Sequence, residues 1–347
     1  MSASVPTEER YAVLDRPPRR LSATLLRWEV ILVILFVLTI VVNSIVSPYF
    51  LDVYNLADAT SNFSEKAIIA LAMALLILVR DIDLSVAAII ALAAMAIGYA
   101  ADAGFGAPVL FLVGIGVGLL CGVFNGFLVA YIRLPSIVVT IGTMSLFRGL
   151  TQVVLGDQAL THYPQGFLTL GQNYFIPFVQ SGVSWLFIPP VPLSFLIFLV
   201  MAAIFGIVLH KTAVGRQLFA IGSNPVAARF SGIPVDRLRF LLFGVSGALS
   251  GLAGALLAAR LGSMRSNIAF GWELDIVTMV ILGGVSIAGG VGSILGVFLA
   301  VLVLGLVTFG MSLNNIPGQV VSVYTGALLI AVIAIPRIFE RMRPRGG

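Results

Sequence analysis

The chain has 347 residues, of which 59% are hydrophobic and only 10% are charged, and its mean hydropathy is +1.09. Soluble domains carry about 25% charged residues, so a chain this apolar cannot cover a water-facing surface, which excludes a soluble globular protein. A single cysteine, Cys121, excludes an internal disulfide bond and a cysteine-based metal cluster.

The chain begins with a polar segment, residues 1–27, which contains the basic run RPPRR at 16–20. The first apolar run follows it, and no small-residue cleavage site follows that run. We therefore expect a retained membrane span rather than a signal peptide.

Ten segments resemble membrane spans, each of which needs about 17–25 mostly apolar residues. The sequence thus predicts an all-α polytopic membrane protein with about ten transmembrane helices. The second and eighth segments are short, and we interpret them as tilted or broken helices buried among the others. The predicted spans are 28–46, 66–80, 84–101, 107–131, 136–155, 191–209, 239–259, 273–288, 293–311 and 320–336.

Lysine and arginine concentrate in the cytoplasmic loops of membrane proteins. With the N-terminus inside, 16 of the 20 basic residues fall on the cytoplasmic side. An even number of spans places the C-terminus there too. The predicted order is a polar cytoplasmic tail (1–27), a transmembrane domain (28–336) with a cytoplasmic loop at 210–238, and a basic cytoplasmic tail (337–347). The net charge of +5 then reflects topology and contact with lipid headgroups, not nucleic-acid binding.

Glycines recur along two of the predicted spans. One row occupies 114, 118, 122 and 126, and another occupies 247, 251 and 254. Small residues at this spacing let helix backbones approach closely in a membrane. The segment 283–292 has too many glycines for a straight helix, so we predict a break there that faces protein or a water-filled cavity.

Arg148 lies within an otherwise apolar span, where an arginine is costly and needs a partner or a route to water. One interpretation is that it extends to the outer surface. The other is that it faces a polar translocation path.

The sequence lacks the residues of several other activities. Lys66 and Lys211 are the only lysines, and neither ends a phosphate-binding loop. His162 and His210 fall on opposite sides of the membrane, so no metal site or other cofactor is expected. We find no catalytic pair within the spans, which argues against an enzyme. We also find no Asp or Glu in the middle of a span, which disfavours an ion-coupled secondary transporter.

The loop at 210–238 contains a short helix with clear boundaries. Ser223 or Asn224 caps it, Pro225 occupies its first turn, and Gly232 follows its end. Its small residues, Ala227 and Ala228, suit insertion into a groove on a partner. The alternative is an amphipathic helix that lies on the membrane surface.

Four blocks, in order across 66–336, resemble the permease subunits of bacterial monosaccharide ABC importers of the ribose, xylose and arabinose type. The blocks are IDLSVAAIIALAA (82–94), LPSIVVTIGTMSLFRGL (134–150), GRQLFAIGSNPVAARFSGI (215–233) and ELDIVTMVILGGVSIAGGVGSILG (273–296). The family usually has Gly-Gly where this chain has Arg80-Asp81, and glycine in place of Ala87. This departure puts a tight turn there in doubt and suggests a subfamily, such as deoxyhexose importers for rhamnose.

The resemblance implies an inner-membrane bundle of ten spans in two related halves. It implies three kinds of partner: a cytoplasmic ABC ATPase, a periplasmic sugar-binding protein, and a second permease copy or sister permease. Membrane lipid, expected from the composition, is the fourth partner. The resemblance also implies that 215–232 is the coupling element on the ATPase. The coupling residues it assigns are Gly215, Arg216, Gly222, Asn224, Pro225, Ala227, Ala228 and Gly232.

The leading hypothesis is import of a monosaccharide, whether pentose, hexose or deoxyhexose, by alternating access driven by the partner ATPase. The alternative is an ion-coupled secondary sugar transporter. Polarity within apolar surroundings suggests five residues that line the path, although each is equally explained by an interhelical hydrogen bond. They are Asn62, Asn125, Thr143, Arg148 and Gln319.

Overall fold

The computed structural model describes residues 28–176, 179–180, 187–188 and 190–342. The predicted tail 1–27 and the last five residues of the tail 337–347 lie outside the described residues. The described chain contains thirteen helices. They are α1 (Trp28–Val46), α2 (Val53–Leu78), α3 (Val86–Asp102), α4 (Ala107–Ala130), α5 (Ser136–Leu155), α6 (Gln165–Gln172), α7 (Leu193–Lys211), α8 (Ala213–Ser223), α9 (Pro225–Phe230), α10 (Val235–Leu261), α11 (Trp272–Leu282), α12 (Ile294–Leu313) and α13 (Gly318–Met342).

The all-α polytopic fold predicted from composition is confirmed. Each of the ten predicted spans coincides with a helix. Within the described residues, seven of these helices are long and apolar enough to cross a membrane, namely α1, α2, α4, α5, α7, α10 and α12. The apolar parts of α3 and α13 are shorter, and α11 has only 11 residues.

The second span differs most from its prediction. Helix α2 begins at Val53 rather than at 66, where the Asp52 side chain caps it by accepting hydrogen bonds from the backbone of Tyr54 and Asn55. Its first half is polar, so the length of the apolar run does not predict it. The apolar part of the helix is 89% buried inside the protein, whereas several residues of the polar half, such as Asp58 and Asn62, are exposed.

This longer helix corrects two expectations. The second span is not short, since α2 has 26 residues. Glu65, which the prediction placed outside, lies in the middle of α2 and is fully buried. The expected absence of acidic residues within the spans is therefore wrong.

The two glycine rows pack directly against each other. A Cβ atom added to Gly118 would overlap the backbone of Gly247 and Gly251, and one added to Gly122 would overlap the carbonyl of Phe243. Helices α4 and α10 therefore approach at backbone distance, as the glycine spacing predicts.

Two short helices each follow an irregular segment. Residues 79–85 lead into α3, and 262–271 lead into α11. The predicted break is confirmed, because α11 ends at Leu282 and Gly284, Gly289 and Gly290 all have positive φ. The amide of Gly290 donates to the carbonyl of Leu78 (2.9 Å), so the break packs on the end of α2.

Helix α2 is the centre of the bundle, where it contacts α10, α7, α12 and α11. Its apolar residues join one continuous buried cluster with those helices. Between α6 and α7 the described chain has only two very small antiparallel pairings. Strand β1 (Tyr174–Ile176) pairs with β4 (Val191–Pro192), and β2 (Val179–Gln180) pairs with β3 (Phe187–Ile188).

Candidate functional site: a loop helix and a polar cavity

The loop at 210–238 folds into α8 and α9, which meet at Asn224. The Asn224 side-chain oxygen accepts hydrogen bonds from the amides of Val226 and Ala227, both at 3.0 Å. Asn224 is thus the cap of α9, because the hydroxyl of Ser223 instead donates to Phe219 of its own helix. Pro225 occupies the first turn, as the sequence predicts.

The remaining predicted coupling residues take different positions. Gly215 and Gly222 are buried against backbone, where a side chain would not fit. Arg216 is exposed and donates to the carbonyl of Thr212 (3.3 Å). Gly232 follows α9 with φ +81°, a conformation that favours glycine.

The face that α9 offers to a partner differs from the predicted one. Ala228 is only 4% exposed and packs into its own chain. Phe230 is 90% exposed and Val226 is 61% exposed, and Ala227 is exposed beside them. Residues four apart share a helix face, so 226 and 230 point outward together while 228 points inward. The available surface is therefore a bulky apolar one, not the pair of alanines.

Arg80 connects the end of α2 to the end of α8. Its Nε donates to the carbonyl of Gly222 (2.7 Å) and its Nη2 to that of Ser223 (2.6 Å). The last carbonyls of a helix lack partners within the helix and carry partial negative charge, so a guanidinium stabilises them. Gly222 also lies so close to the Leu78 carbonyl that only glycine fits.

Asp81 makes a second connection, to the start of α10. It accepts two hydrogen bonds from Arg239, each 2.6 Å long, and is 1% exposed. Both residues of the Arg80-Asp81 departure therefore have partners on the helices that flank α9. The sequence alone did not reveal these partners.

Asn125 belongs to a buried hydrogen-bond network rather than to a cavity. Its Nδ2 donates to the hydroxyl of Ser85 (2.8 Å), and Ser85 donates to Asp83 (2.6 Å). Ser246 of α10 donates to the other Asp83 oxygen (3.1 Å). This network holds the irregular segment 79–85 between α4 and α10 and pairs both carboxylate oxygens of Asp83, while the side-chain oxygen of Asn125 is buried without a hydrogen-bond partner among the described residues.

Arg148 hydrogen-bonds to three backbone carbonyl groups of the protein. It donates to the carbonyls of Ser266 (3.0 Å) and Ile268 (2.8 Å), before α11, and to that of Ala87 (3.2 Å) in α3. It thus holds together the irregular segment 262–271 and the first turn of α3.

Thr143 and Gln319 do not line either of the two cavities described below. Thr143 is 5% exposed, and its hydroxyl faces the Thr140 carbonyl of its own helix. Gln319 is exposed at the start of α13, beside a cavity that it does not line.

A polar cavity of about 560 Å³ lies between α2, α11, α12 and α13. Small-ligand sites in proteins commonly span about 300–1,000 Å³. Within it, the Nζ of Lys66 lies 2.6 Å from a carboxylate oxygen of Asp275 and 4.8 Å from the ring centroid of Trp272. Its lining residues are Asn62, Phe63, Lys66, Phe270, Trp272, Asp275, Met279, Leu304, Gly305, Thr308, Phe309, Ser312, Leu313, Gly318, Val321 and Ser322.

Asn62 lines this cavity and a neighbouring one of about 300 Å³. Its side-chain oxygen accepts from Arg260 (2.9 Å), which also donates to the buried Glu65 (2.8 Å). The smaller cavity ends at Tyr174, which donates to Asp58 (3.0 Å). Burial and this hydrogen bond raise the pKa of Tyr174 to about 12, so its phenol stays protonated at neutral pH.

Of the five predicted path residues, Asn62 alone lines these two cavities. Lys66 and Asp275 are not among the predicted path residues, because both lie at the outer ends of their predicted spans, 66–80 and 273–288. A usable signal was present: Asn62 and Lys66, and likewise Thr308 and Ser312, are four residues apart and so share a helix face.

Comparison with known proteins agrees with the resemblance of the sequence to permease subunits. Residues 55–333 match the family described as "Branched-chain amino acid transport system / permease component". The chain is 35% identical over 308 residues to the autoinducer 2 import system permease protein LsrD of Escherichia coli strain K12, covering 88% of this chain and 91% of the relative. The same protein of Shigella flexneri gives the same values. No solved structure matches the chain.

Proposed function

Because the chain belongs to the family of permease components of the branched-chain amino acid transport type, we propose that a separate cytoplasmic ATPase powers it. It is a permease component of an ABC importer, related to autoinducer 2 import permeases, and a multi-pass protein of the bacterial inner membrane. As a transport subunit it performs no covalent chemistry. Its cargo is a monosaccharide-like molecule, and autoinducer 2 is tested first because the relatives carry that name.

The observation that carries this proposal is the exposed apolar end of α9. Phe230 is 90% exposed and Val226 is 61% exposed on the same side of this six-residue helix, so they present an apolar surface that a partner would bury. In the proposed orientation, with both termini in the cytoplasm, α9 lies on the cytoplasmic side, where the ATPase docks.

The contacts around α9 support a route by which a movement of the ATPase reaches the membrane helices. When ATP closes the ATPase subunits, α9 moves with them. Arg80 connects that movement to α2, and the pair of Asp81 and Arg239 connects it to α10. Both helices border the buried segment 79–85, so the bundle changes as a unit between outward-open and inward-open states.

The complete importer contains further partners. A periplasmic binding protein delivers the cargo to the outer face, and a second copy or a sister permease completes the translocation path. Glu65 and Asp83 are buried, so acidic residues do occur inside the bundle, as they do in ion-coupled carriers. Family membership and the exposed α9 surface nevertheless favour a permease driven by an ATPase. Uptake driven by an ion gradient in vesicles without an ATPase would favour the carrier.

The test substitutes Phe230, because Ala228 is buried and a change there would disturb the fold itself. We expect Phe230→Glu to insert into the membrane at wild-type abundance. Its uptake of autoinducer 2 or a monosaccharide should collapse, since a carboxylate cannot enter an apolar socket. The ATPase that co-purifies with the wild-type chain from native membranes should also be lost.

Phe230→Leu is the matched control, because it keeps an apolar side chain and should retain both ATPase capture and uptake. Normal ATPase capture and uptake by Phe230→Glu would overturn the docking role of α9. Failure of the wild-type chain to retain any ATPase would overturn the proposed function as a whole.

A further inference from the structure

The cavity between α2, α11, α12 and α13 combines charged, hydroxyl and aromatic groups in a way that indicates a ligand. Its two charged residues, Lys66 and Asp275, form an ion pair with side chains only 20% and 24% exposed. The pair leaves this cavity without net charge. A singly charged ligand would therefore lack a compensating group and would also lose hydration on entry.

The ion pair retains capacity to bind a neutral ligand. Lys66 has three N–H donors and uses one on Asp275, and the Asp275 carboxylate has two oxygens and uses one on Lys66. A ligand hydroxyl can accept from the first group and donate to the second. The amide of Asn62 lies one helical turn away on the same face of α2.

Hydroxyl groups line the opposite wall. Ser312 donates to the Thr308 carbonyl (3.0 Å), Thr308 to that of Gly305 (3.0 Å), and Ser322 to that of Gly318 (3.1 Å). Because each hydroxyl hydrogen already has a backbone partner, their oxygens face a ligand mainly as acceptors. This wall suits a ligand that donates several hydrogen bonds.

Aromatic rings provide the remaining surface. Trp272 and Phe270 border the cavity at the start of α11, and Phe309 borders it from α12. Ring faces pack well against the C–H faces of a saturated ring whose edge carries hydroxyl groups. Polar groups for the edge and aromatic groups for the faces are therefore both present.

We propose that this cavity is a binding site for a neutral, polyhydroxylated molecule of monosaccharide size, with Lys66, Asp275 and Trp272 as its main contacts. This inference rests on the proposed function, because it places the site on the import path. In the proposed orientation the cavity lies toward the periplasm, since it borders the first half of α2. A zwitterionic amino acid fits less well, because both of its charged groups would lose hydration on entry, whereas the hydroxyl groups of a neutral ligand cost less to desolvate.

The first experiment measures ligand protection and does not need the ATPase. Ser312→Cys introduces a thiol into the cavity wall, and the native Cys121 is buried and serves as the unreactive control. We expect a hydrophilic thiosulfonate reagent to modify this variant. Millimolar ribose, xylose, rhamnose or autoinducer 2 should slow the modification several-fold, whereas leucine and ribose 5-phosphate should not.

The second experiment measures transport. Asp275→Asn leaves Lys66 as an uncompensated charge in the cavity, and Lys66→Met leaves Asp275 so. Each variant also loses one charged partner for a ligand hydroxyl, so we expect at least a tenfold loss of uptake, equivalent to about 1.4 kcal/mol. The variants should still capture the ATPase and hydrolyse ATP, which separates a defect in the cavity from a failure of the proposed function. Asp102→Asn, which removes an exposed pairing with His162, is the control and should transport normally.

Three outcomes would each contradict a different part of this proposal. Modification of Ser312→Cys that none of the tested polyols slows would overturn the site. Protection by leucine instead would assign the cavity to amino acids and overturn the proposed ligand class. Wild-type uptake by both Asp275→Asn and Lys66→Met would show that the ion pair does not bind cargo.

Discussion

Arg80 has a backbone conformation that normally favours glycine, with φ +72°. A non-glycine residue in this region costs about 1–3 kcal/mol. The guanidinium offsets that cost by bonding two carbonyl groups at the end of α8. Arg80 is thus unfavourable for the local backbone but favourable for the contact with α8. We infer that its role is to connect α2 to α8.

Arg80→Gly separates these two effects. Glycine fits the backbone, so we expect normal abundance and unchanged capture of the ATPase. The connection between α8 and α2 is lost, so ATP hydrolysis should continue while uptake falls several-fold. The measurement is the ratio of cargo imported to ATP hydrolysed in proteoliposomes.

Arg133→Gly is the matched control, because Arg133 also has positive φ (+65°) but is exposed in the connection between α4 and α5. Its transport ratio should equal that of the wild type. Equal ratios for the Arg80 and Arg133 variants would show that Arg80 has no part in coupling.

At the scale of elements, the contact between α4 and α10 depends on the absence of side chains. Lipid offers apolar helices as favourable a surface as another helix does, so association depends on close packing. The glycine rows provide it, because Gly114 and Gly118 face the backbone of Gly247 and Gly251. Arg239 lies in the first turns of α10, so this packing also positions the partner of Asp81.

Gly118→Ala tests this packing. A methyl group there would overlap the Gly247 carbonyl and the Gly251 backbone, so we expect a loss of about 1–3 kcal/mol in stability, as for other overpacked cores. Thermal unfolding of the protein in detergent should report it as a lower midpoint.

Gly116→Ala provides the comparison on the same helix. No atom lies within 4 Å of a Cβ atom at this position. Alanine is also the better helix former by about 1 kcal/mol, so this variant should be as stable as the wild type or more stable. Equal unfolding midpoints for both variants would mean that the glycine row does not hold the helices together.

At the scale of the whole molecule, the proposed function requires one orientation. The exposed face of α9 and the basic residues around it must lie in the cytoplasm, while the polar cavity borders the other side. The distribution of lysine and arginine supports this orientation.

Cysteine labelling in intact cells tests this orientation. Asp157→Cys introduces an exposed thiol after α5, and Ser231→Cys introduces one after α9. We expect a membrane-impermeant maleimide to label Asp157→Cys in intact cells and Ser231→Cys only after permeabilisation. The wild-type chain, whose only cysteine is buried, should remain unlabelled in both cases. The reverse pattern would place α9 outside and would be incompatible with docking of a cytoplasmic ATPase.

The sequence by itself determined the features that lipid and local geometry dictate. Apolar length located the ten helices, and α1 and α5 matched their predicted bounds. Cap and breaker residues located α9 and the break after α11. Glycine spacing predicted close packing of α4 and α10. Each of these depends on residues near one another in the chain, where the backbone must satisfy its own hydrogen bonds.

Only the tertiary structure decided where the polar groups face. It extended α2 to Val53, turned Ala228 inward, and placed Asn125 in a closed network rather than beside a cavity. It also brought Lys66 to Asp275 and Arg80 to Gly222, residues far apart in the sequence. A polar residue in a membrane helix needs some partner, but its identity depends on how the helices pack, and no local pattern contains that information.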